Sequence, residues 1–358
     1  MKRVIALLLA LALAFGATAC GTKDNKTNDT APTQAATPTT AATPTPGDDK
    51  PAEPTPTETP AIRPEVNVAV LKGPTAIGML KLMDEDEKET SANDYTFTVA
   101  GSADAIVGSV IKGDIPIAAV PCNLAATLWN KTSGGVTLLA VNTLGVLYIL
   151  DTGVSVQSVA DLKGKTIYAT GAGTTPEYTL RYLLSSNGID PDKDVSIVLL
   201  SEASEVAAKM ASADGDTIAM LPMPFVISVL SQNEKARIAL DVTKEWEAKN
   251  DSTVVTGVII ANSKYLAENK ATVDAFLDEY EKSTAFANSN VDDTAALAEH
   301  FDIFKAAVAK KAIPYCNIVY KAGDECRAAV NPYLQVLFDA NKDSVGGKLP
   351  DDSFFYKR

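Results

Sequence analysis

Apolar positions follow two different patterns along the chain. Short runs such as IPIAAV, VTLLAV and DTIAML show no regular alternation of apolar and polar positions, which is typical of strands buried on both faces of a parallel sheet. Elsewhere apolar side chains recur about one helical turn apart, as at Ile77, Leu80 and Met83 and again within residues 180–184. This alternation of strands and helices predicts an α/β fold with mostly parallel sheets and right-handed crossovers.

The same order of elements occurs twice. The sequence predicts the same six elements in residues 66–121 and in residues 165–222. They are a strand, a turn containing Gly, Pro and Thr, a helix, a second strand that runs into Ser, a further helix, and a third strand that ends at Pro. An internal repeat of this kind indicates a duplicated structural unit. We therefore expect two Rossmann-like lobes with a ligand cleft between them.

Polar side chains are concentrated where the predicted strands end and the helices begin. Ligands of open α/β sheets bind at the carboxyl ends of the strands, and the sequence places Thr75, Ser102, Asn123, Thr174 and Thr175 there. Free N–H groups at the helix starts favour an anionic or strongly polar ligand group. We expect recognition to rest on these backbone and side-chain polar groups rather than on a basic residue.

The two neighbouring threonines also have a purely structural interpretation. Thr174 or Thr175 could cap a helix whose first turn holds Pro176, with Glu177 completing a capping box. One threonine can cap the helix while its neighbour faces the cleft, so the sequence leaves both roles open.

Three larger side chains lie close to these turns along the chain. Tyr178, Met223 and Phe225 could pack against the flat ring of a bound heterocycle. Met and Phe beside prolines, as in LPMPF, also serve simply to fill space in a core. Both interpretations stay open at this point.

The first twenty residues predict an export signal. Two basic residues precede an apolar run from Val4 to Phe15 that is too short to cross a bilayer. Small residues then lead to Cys20, as in bacterial lipoprotein signals, so we predict a signal peptide over 1–20 and lipidation of Cys20. A plain secretory cleavage that leaves Cys20 unmodified is the alternative.

A stretch of biased composition follows. Residues 21–62 are rich in Thr, Pro and Ala and hold almost nothing apolar apart from Ala. Such a stretch buries too little surface to offset chain entropy, so we predict a disordered tether. The formal net charge of −13 argues against nucleic acid or anionic lipid as a partner. Anchor and tether together indicate a cell-surface protein held at the outer face of the cytoplasmic membrane.

Candidate catalytic groups are sparse. His300 is the single histidine, which excludes a His-based zinc cluster and leaves no obvious general base for a serine nucleophile. The G-x-S-x-G elbow, the Walker loop and H-E-x-x-H do not occur in the sequence. We predict no catalytic residue, no metal and no cofactor. Three cysteines follow Cys20, and the sequence leaves open whether Cys316 and Cys326 form a disulfide, with Cys122 free and buried.

These features together resemble the substrate-binding lipoproteins of ABC importers, and more closely the type II periplasmic binding proteins of the nitrate, sulfonate and thiamine-precursor group (NMT1/THI5-like). The resemblance covers about residues 64–358. It is carried by the segments LKGPTAIG, GSADAIVGSVIKGDIPIAAVPCN, VTLLAVNTLGVLYIL, SVADLKGKTIYATGAGTTPEY and VVTGVIIANSKYL. It implies two crossings of the chain between the lobes, so that lobe 1 comprises 63–143 with 257–358 and lobe 2 comprises 144–256.

The resemblance also implies a function and further site residues. It implies a monomer that captures a small polar or heterocyclic organic solute in the cleft and delivers it to the permease and ATPase subunits of an ABC importer. The alternatives are a sensory or scavenging lipoprotein of the same fold, and an enzyme on this fold. The complete set of predicted ligand-binding residues is Thr75, Ala76, Ser102, Asn123, Asn142, Thr143, Gly173, Thr174, Thr175, Tyr178, Met223, Phe225 and Thr256.

Overall fold

A computed structural model describes residues 63–153 and 156–358. The predicted signal peptide, Cys20 and the predicted tether lie outside the described residues. The strands within the described part are β1 Glu65–Leu71, β2 Asp94–Ala100, β3 Ile117–Pro121, β4 Val136–Leu144, β5 Leu147–Thr152, β6 Thr166–Thr170, β7 Ser196–Leu200, β8 Ile218–Pro222, β9 Ala236–Asp241, β10 Val255–Asn262 and β11 Ile318–Ala322.

Helices alternate with these strands and cover the sheets. The α-helices are α1 Pro74–Ile77, α2 Leu80–Glu87, α3 Asp104–Lys112, α4 Cys122–Lys131, α5 Thr175–Ser186, α6 Ala203–Ala211, α7 Phe225–Leu230, α8 Val242–Glu247, α9 Ser263–Glu268, α10 Lys270–Ser289, α11 Val291–His300, α12 Ala306–Ala312 and α13 Gly323–Ala340. Short 3₁₀-helices occur at Val159–Leu162, Ile313–Tyr315, Lys342–Val345 and Asp352–Phe354. In the described part of the chain, no helix combines the length and the apolar character that a membrane span requires.

The first sheet has the strand order β11-β4-β10-β3-β1-β2. β1 pairs in parallel with β2 and β3, with Val68 opposite Phe97 on one side and opposite Ile117 on the other. β10 comes from much later in the chain and pairs antiparallel with both β3 and β4. β11 pairs antiparallel with β4. The run VTLLAV in β4 is therefore a buried strand, but its neighbours are antiparallel rather than parallel as predicted.

The second sheet repeats the arrangement of the first. Its order is β7-β6-β8-β5-β9, and β6 pairs in parallel with β7 and β8. β5 extends this parallel trio and pairs antiparallel with β8 and β9. Each sheet thus contains three parallel strands, next to which lies an antiparallel strand, β10 in the first sheet and β5 in the second; β4 and β11 complete the first sheet and β9 completes the second. The predicted class, a duplicated α/β fold with two Rossmann-like sheets, is confirmed.

The chain passes between the two sheets twice. β4 of the first sheet ends at Leu144, and β5 of the second begins at Leu147. On the return, α8 ends at Glu247 and β10 begins at Val255. All the described residues fall within one compact unit.

Buried apolar side chains confirm the helical periodicity. Ile77, Leu80 and Met83 are buried beside the first sheet, and the apolar positions within residues 180–184 of α5 are buried beside the second. One core contains side chains from both halves of the fold, such as Ile117 and Leu221. Burial of this apolar surface is the main favourable contribution to folding.

The cysteines of the described part, Cys122, Cys316 and Cys326, are free and buried. Cys316 belongs to the core shared by both halves of the fold, whereas Cys326 lies with Cys122 in a different core cluster. The disulfide between Cys316 and Cys326 that the sequence left open is therefore not formed. Burial raises the pKa of the Cys326 thiol to about 12, so this thiol stays protonated at neutral pH.

Candidate functional site

A cavity of about 360 Å³ lies where the strands of both sheets end. Pockets for small organic ligands have volumes of about 300–1,000 Å³, so this cavity is at the small end of that range. Its wall is built from the strand-to-helix turns of the two repeats, together with the start of β10. The lining residues come from 71–75, 101–104, 120–121, 146–147, 170–176, 199–203, 222 and 256–257.

Four of the predicted ligand-binding residues line this cavity. They are Thr75 and Ser102 from the first sheet, Thr174 from the second, and Thr256 from β10. The other predicted residues do not line it. These are Ala76, Asn123, Asn142, Thr143, Gly173, Thr175, Tyr178, Met223 and Phe225.

The hydroxyl groups of two lining threonines, Thr75 and Thr174, form hydrogen bonds within their own turns. Thr75 Oγ1 donates to the Leu71 carbonyl oxygen at 2.7 Å, and Thr174 Oγ1 donates to the Gly171 carbonyl oxygen at 2.7 Å. Each hydroxyl proton is therefore engaged, but each oxygen can still accept a hydrogen bond. Thr174 precedes α5 without making a side-chain cap, so its side chain does not have the capping role that the sequence left open.

Thr175 and Asn123 form a buried joint behind the wall of the cavity. Asn123 Oδ1 accepts from Thr175 Oγ1 at 3.1 Å. Asn123 Nδ2 donates to the carbonyl oxygens of Ser344 at 2.7 Å and Gly173 at 3.3 Å. Because Asn123 belongs to α4 and Thr175 begins α5, these bonds connect the helix after β3 to the helix after β6. These side chains therefore stabilise the packing of the two helices and do not face the cavity.

The three large side chains also lie away from the cavity. Met223 and Phe225 are buried in the shared core, where the Phe225 ring packs edge-on against Phe304 with their centroids 5.0 Å apart. Tyr178 lines a separate crevice between α5 and α13. For Met223 and Phe225, the structure corresponds to the core-filling interpretation.

Unpartnered polar groups lie beneath one part of the wall. The hydroxyl oxygens of Thr143 and Thr256 are buried without a hydrogen-bond partner, and the buried Asn142 side chain has the Tyr280 hydroxyl as a polar neighbour. Asn142 lies close behind the wall residue Gly257, since a Cβ atom placed on Gly257 would be 2.5 Å from Asn142 Oδ1. A buried polar group without a partner costs about 1–3 kcal/mol. The Thr143 and Thr256 hydroxyl groups therefore have unused hydrogen-bonding capacity next to the cavity.

Two charged residues of the wall, Lys72 and Asp104, are not among the residues predicted from the sequence. Lys72 lies in the turn after β1 and lines the cavity, although its Nζ donates to the Asp302 carbonyl oxygen at 3.2 Å. Asp104, in the first turn of α3, lines the cavity as well. The expectation that recognition involves no basic residue needs this correction. The position of Lys72 directly after an apolar strand is the signal that could have revealed it.

Residues 63–153 and 156–358 contain no cluster of metal-binding side chains. No group of three or more His, Cys, Asp or Glu in these ranges could hold a metal ion. Thr, Ser, Lys72 and Asp104 are therefore the polar side chains that the cavity wall offers to a solute.

Solved structures share this fold. An ABC transporter protein of Parabacteroides distasonis is 24% identical, with a TM-score of 0.66, over 82% of this chain and 99% of the other. The periplasmic aliphatic sulphonate binding protein of Escherichia coli is 17% identical, with a TM-score of 0.65, over 82% and 92% of the two chains. The periplasmic nitrate-binding protein of Synechocystis is 13% identical, with a TM-score of 0.55, over 72% and 69%. The fold is that of the type II periplasmic binding proteins.

A protein-family model matches part of this chain. Residues 135–293 match the model described as NMT1/THI5 like. The match includes β4, all of the second sheet and β10. The resemblance to the NMT1/THI5-like binding proteins that the sequence suggests is thereby confirmed. No curated protein matches this chain in sequence.

Proposed function

We propose that this protein is an extracytoplasmic, lipid-anchored substrate-binding protein of an ABC importer. It captures a small polar or heterocyclic organic solute in the cavity and delivers it to the permease and ATPase subunits in the membrane. The single observation that carries the proposal is the cavity itself, whose wall combines turns from both sheets. A solute bound there contacts both halves of the fold at once.

The geometry suggests how binding would be signalled. Thr75 and Ser102 belong to the first repeat, and Thr174 belongs to the second. A solute that bridges them stabilises the closed arrangement by its higher affinity for that state. The permease then recognises the closed protein. In this proposal the lobes are 63–143 with 257–358, and 144–256.

The proposal draws further support from the relatives. Proteins of this fold include one named for aliphatic sulphonate binding and one named for nitrate binding. The lipid anchor at Cys20 and the monomeric state are part of the proposal and rest on the sequence. Replacing Cys20 by Ala is expected to release the protein from the membrane fraction.

The first experiment is to identify a bound solute. The full chain carrying Cys20→Ala is purified gently from its own host, analysed by native mass spectrometry, and then denatured to release any small molecule. We expect one metabolite that raises the melting temperature when it is added back. A protein that carries no solute, and that no fraction of the host's metabolite pool stabilises, would refute solute binding.

A matched pair of variants on α6 tests the location of the site. Ala203 lines the cavity, whereas Ala208 lies on the exposed side of the same helix. We expect Ala203→Trp to fill the cavity and remove the stabilisation by the recovered metabolite, while Ala208→Trp retains it. Equal retention in both variants would place the site elsewhere. Uptake of the labelled metabolite, with and without the permease, then separates an importer component from a scavenging lipoprotein.

A further inference from the structure

We propose that the cavity accepts an uncharged solute and discriminates against anions. This inference rests on the proposed function and specifies the solute's charge class. The sequence favours an anionic or a strongly polar ligand group, and this inference selects a polar group without charge. The observations that carry it are the positions of the protein's own carboxylates around the wall and the unpartnered neutral groups at one side of it.

The start of α5 is already occupied by a carboxylate of the protein. Gly173, in the turn before this helix, donates its backbone N–H to Glu177 Oε2 at 2.7 Å. Glu177 Oε1 also accepts from Arg181 Nε at 2.7 Å, which fixes the carboxylate in place. Gly173 itself does not line the cavity, so its N–H group serves the carboxylate of Glu177 and is not offered to a ligand anion.

The turn before α6 has the same arrangement. Ser201 lines the cavity and donates its backbone N–H to Glu205 Oε2 at 3.0 Å. The positive end of a helix attracts an anion through such N–H groups. At each of the two turns that the second sheet contributes before α5 and α6, one of the protein's own glutamates thus accepts from one backbone N–H group.

A third carboxylate reaches across the cavity from one half of the fold to the other. The Glu202 side chain lies against Gly101, where a Cβ atom would be only 2.2 Å from Glu202 Oε1 and 2.6 Å from Oε2. Gly101 lies in the turn before α3, whose first turn carries Asp104. An anion near α3 would therefore meet two carboxylates, Glu202 and Asp104.

The charges of the wall do not offset this repulsion. Among its lining residues, Lys72 is the one cation and Asp104 the one carboxylate, so their formal charges cancel. The carboxylate of Glu202 adds negative charge beside the turn before α3, whereas that of Glu177 is paired with Arg181. A negatively charged solute gains no net attraction from this set of side chains.

The remaining wall suits an uncharged molecule with an apolar body. Most of the larger lining side chains are aliphatic or proline. They are Leu71, Pro74, Val120, Pro121, Val146, Leu147, Pro176, Leu199, Leu200 and Pro222. The unpartnered Thr256 hydroxyl, which lies in the wall next to Gly257, can donate and accept a hydrogen bond. This combination matches a solute whose polar group is neutral and amide-like.

Pairs of probes that share a shape but differ in charge test the inference directly. Nicotinamide with nicotinate and benzenesulfonamide with benzenesulfonate are pairs of similar shape that differ in charge at pH 7. Each is titrated by calorimetry into the full chain carrying Cys20→Ala. We expect the neutral member of at least one pair to bind at least tenfold more tightly than its anion. Equal or tighter binding of both anions would overturn the inference, and so would the absence of binding by all four probes at 50 mM.

A variant pair keeps the test independent of probe shape. Glu177→Gln removes the negative charge before α5 and keeps a side chain that can accept from Gly173, whereas Glu247→Gln removes an exposed charge at the end of α8. We expect Glu177→Gln to strengthen nicotinate or benzenesulfonate binding at least threefold and Glu247→Gln to leave it unchanged. Equal effects of the two variants would overturn the inference. If the metabolite recovered from the host is an anion, the charge class is wrong while the proposed solute-binding function stands.

Discussion

The joint between Asn123 and Thr175 provides a quantitative test of how the two repeats are connected. Asn123 makes three buried hydrogen bonds, at 2.7, 3.1 and 3.3 Å. At about 1 kcal/mol for each bond, Asn123→Ala should lower the free energy of unfolding by about 3 kcal/mol. Thr175→Val removes one of the bonds and leaves Asn123 Oδ1 buried without a partner, which should cost about 1–3 kcal/mol.

The double-mutant cycle isolates the bond between the two side chains. Asn123→Ala, Thr175→Val and the double variant are unfolded with guanidinium chloride and monitored by circular dichroism. Because the two residues are in direct contact, their effects should overlap by about 1 kcal/mol. Additive losses would show that the bond contributes nothing. A Thr175 that faced a solute, as its place among the predicted ligand-binding residues implies, would give a different result: its replacement would weaken solute binding and leave stability nearly unchanged. That result would refute the structural role assigned here.

Three further predictions follow from buried contacts. Asp151 is fully buried and accepts from Arg237 Nη2 at 2.7 Å, so Asp151→Ala should lower the free energy of unfolding by about 2–4 kcal/mol, measured by the same denaturation; an unchanged midpoint would contradict this. A Cβ atom on Gly145 would be 1.8 Å from Thr243 Oγ1, so Gly145→Ala should lower the free energy of unfolding by about 1–3 kcal/mol. Adding Thr243→Ala should restore part of that free energy, and no restoration would show that this clash is not the cause. Burial raises the pKa of Cys326 to about 12. The thiols of the Cys20→Ala protein should therefore react with a disulfide reagent at pH 8 about a hundredfold more slowly in the folded protein than in denaturant. Equal rates in the two conditions would show that the thiols are accessible in the folded protein.

Patterns within short stretches of sequence were sufficient to predict the fold. The runs around Ile117, Leu139 and Ile218 predicted strands because a strand buried on both faces needs a continuous apolar sequence. The repeat predicted two similar sheets, and both contain the same parallel trio. The antiparallel neighbours of β4 were missed because its partners β10 and β11 lie more than a hundred residues further along the chain. Periodicity within one segment carries no information about such distant pairing.

The candidate site was only partly predictable for a similar reason. Thr75 and Thr174 line the cavity because they lie in the turns that end parallel strands, which is a local property. Thr175 is a direct neighbour of Thr174, yet its hydroxyl bonds to Asn123, 52 residues earlier. Whether a polar side chain in such a turn faces a cavity or a distant helix depends on tertiary packing. Sequence alone could not separate these two threonines.

The start of β10 connects solute binding to the crossing between the sheets. Thr256 and Gly257 line the cavity, and they also lie where the pairing of β10 with β4 is irregular, between Val255 and Val258. An irregular ladder loses hydrogen bonds and bends more easily than a regular one. A solute that engages Thr256 or the nearby Asn142 would thus act on the strands through which the chain crosses between the sheets. The unpartnered hydroxyl groups near Gly257 therefore lie where new hydrogen bonds to a solute could favour the closed arrangement.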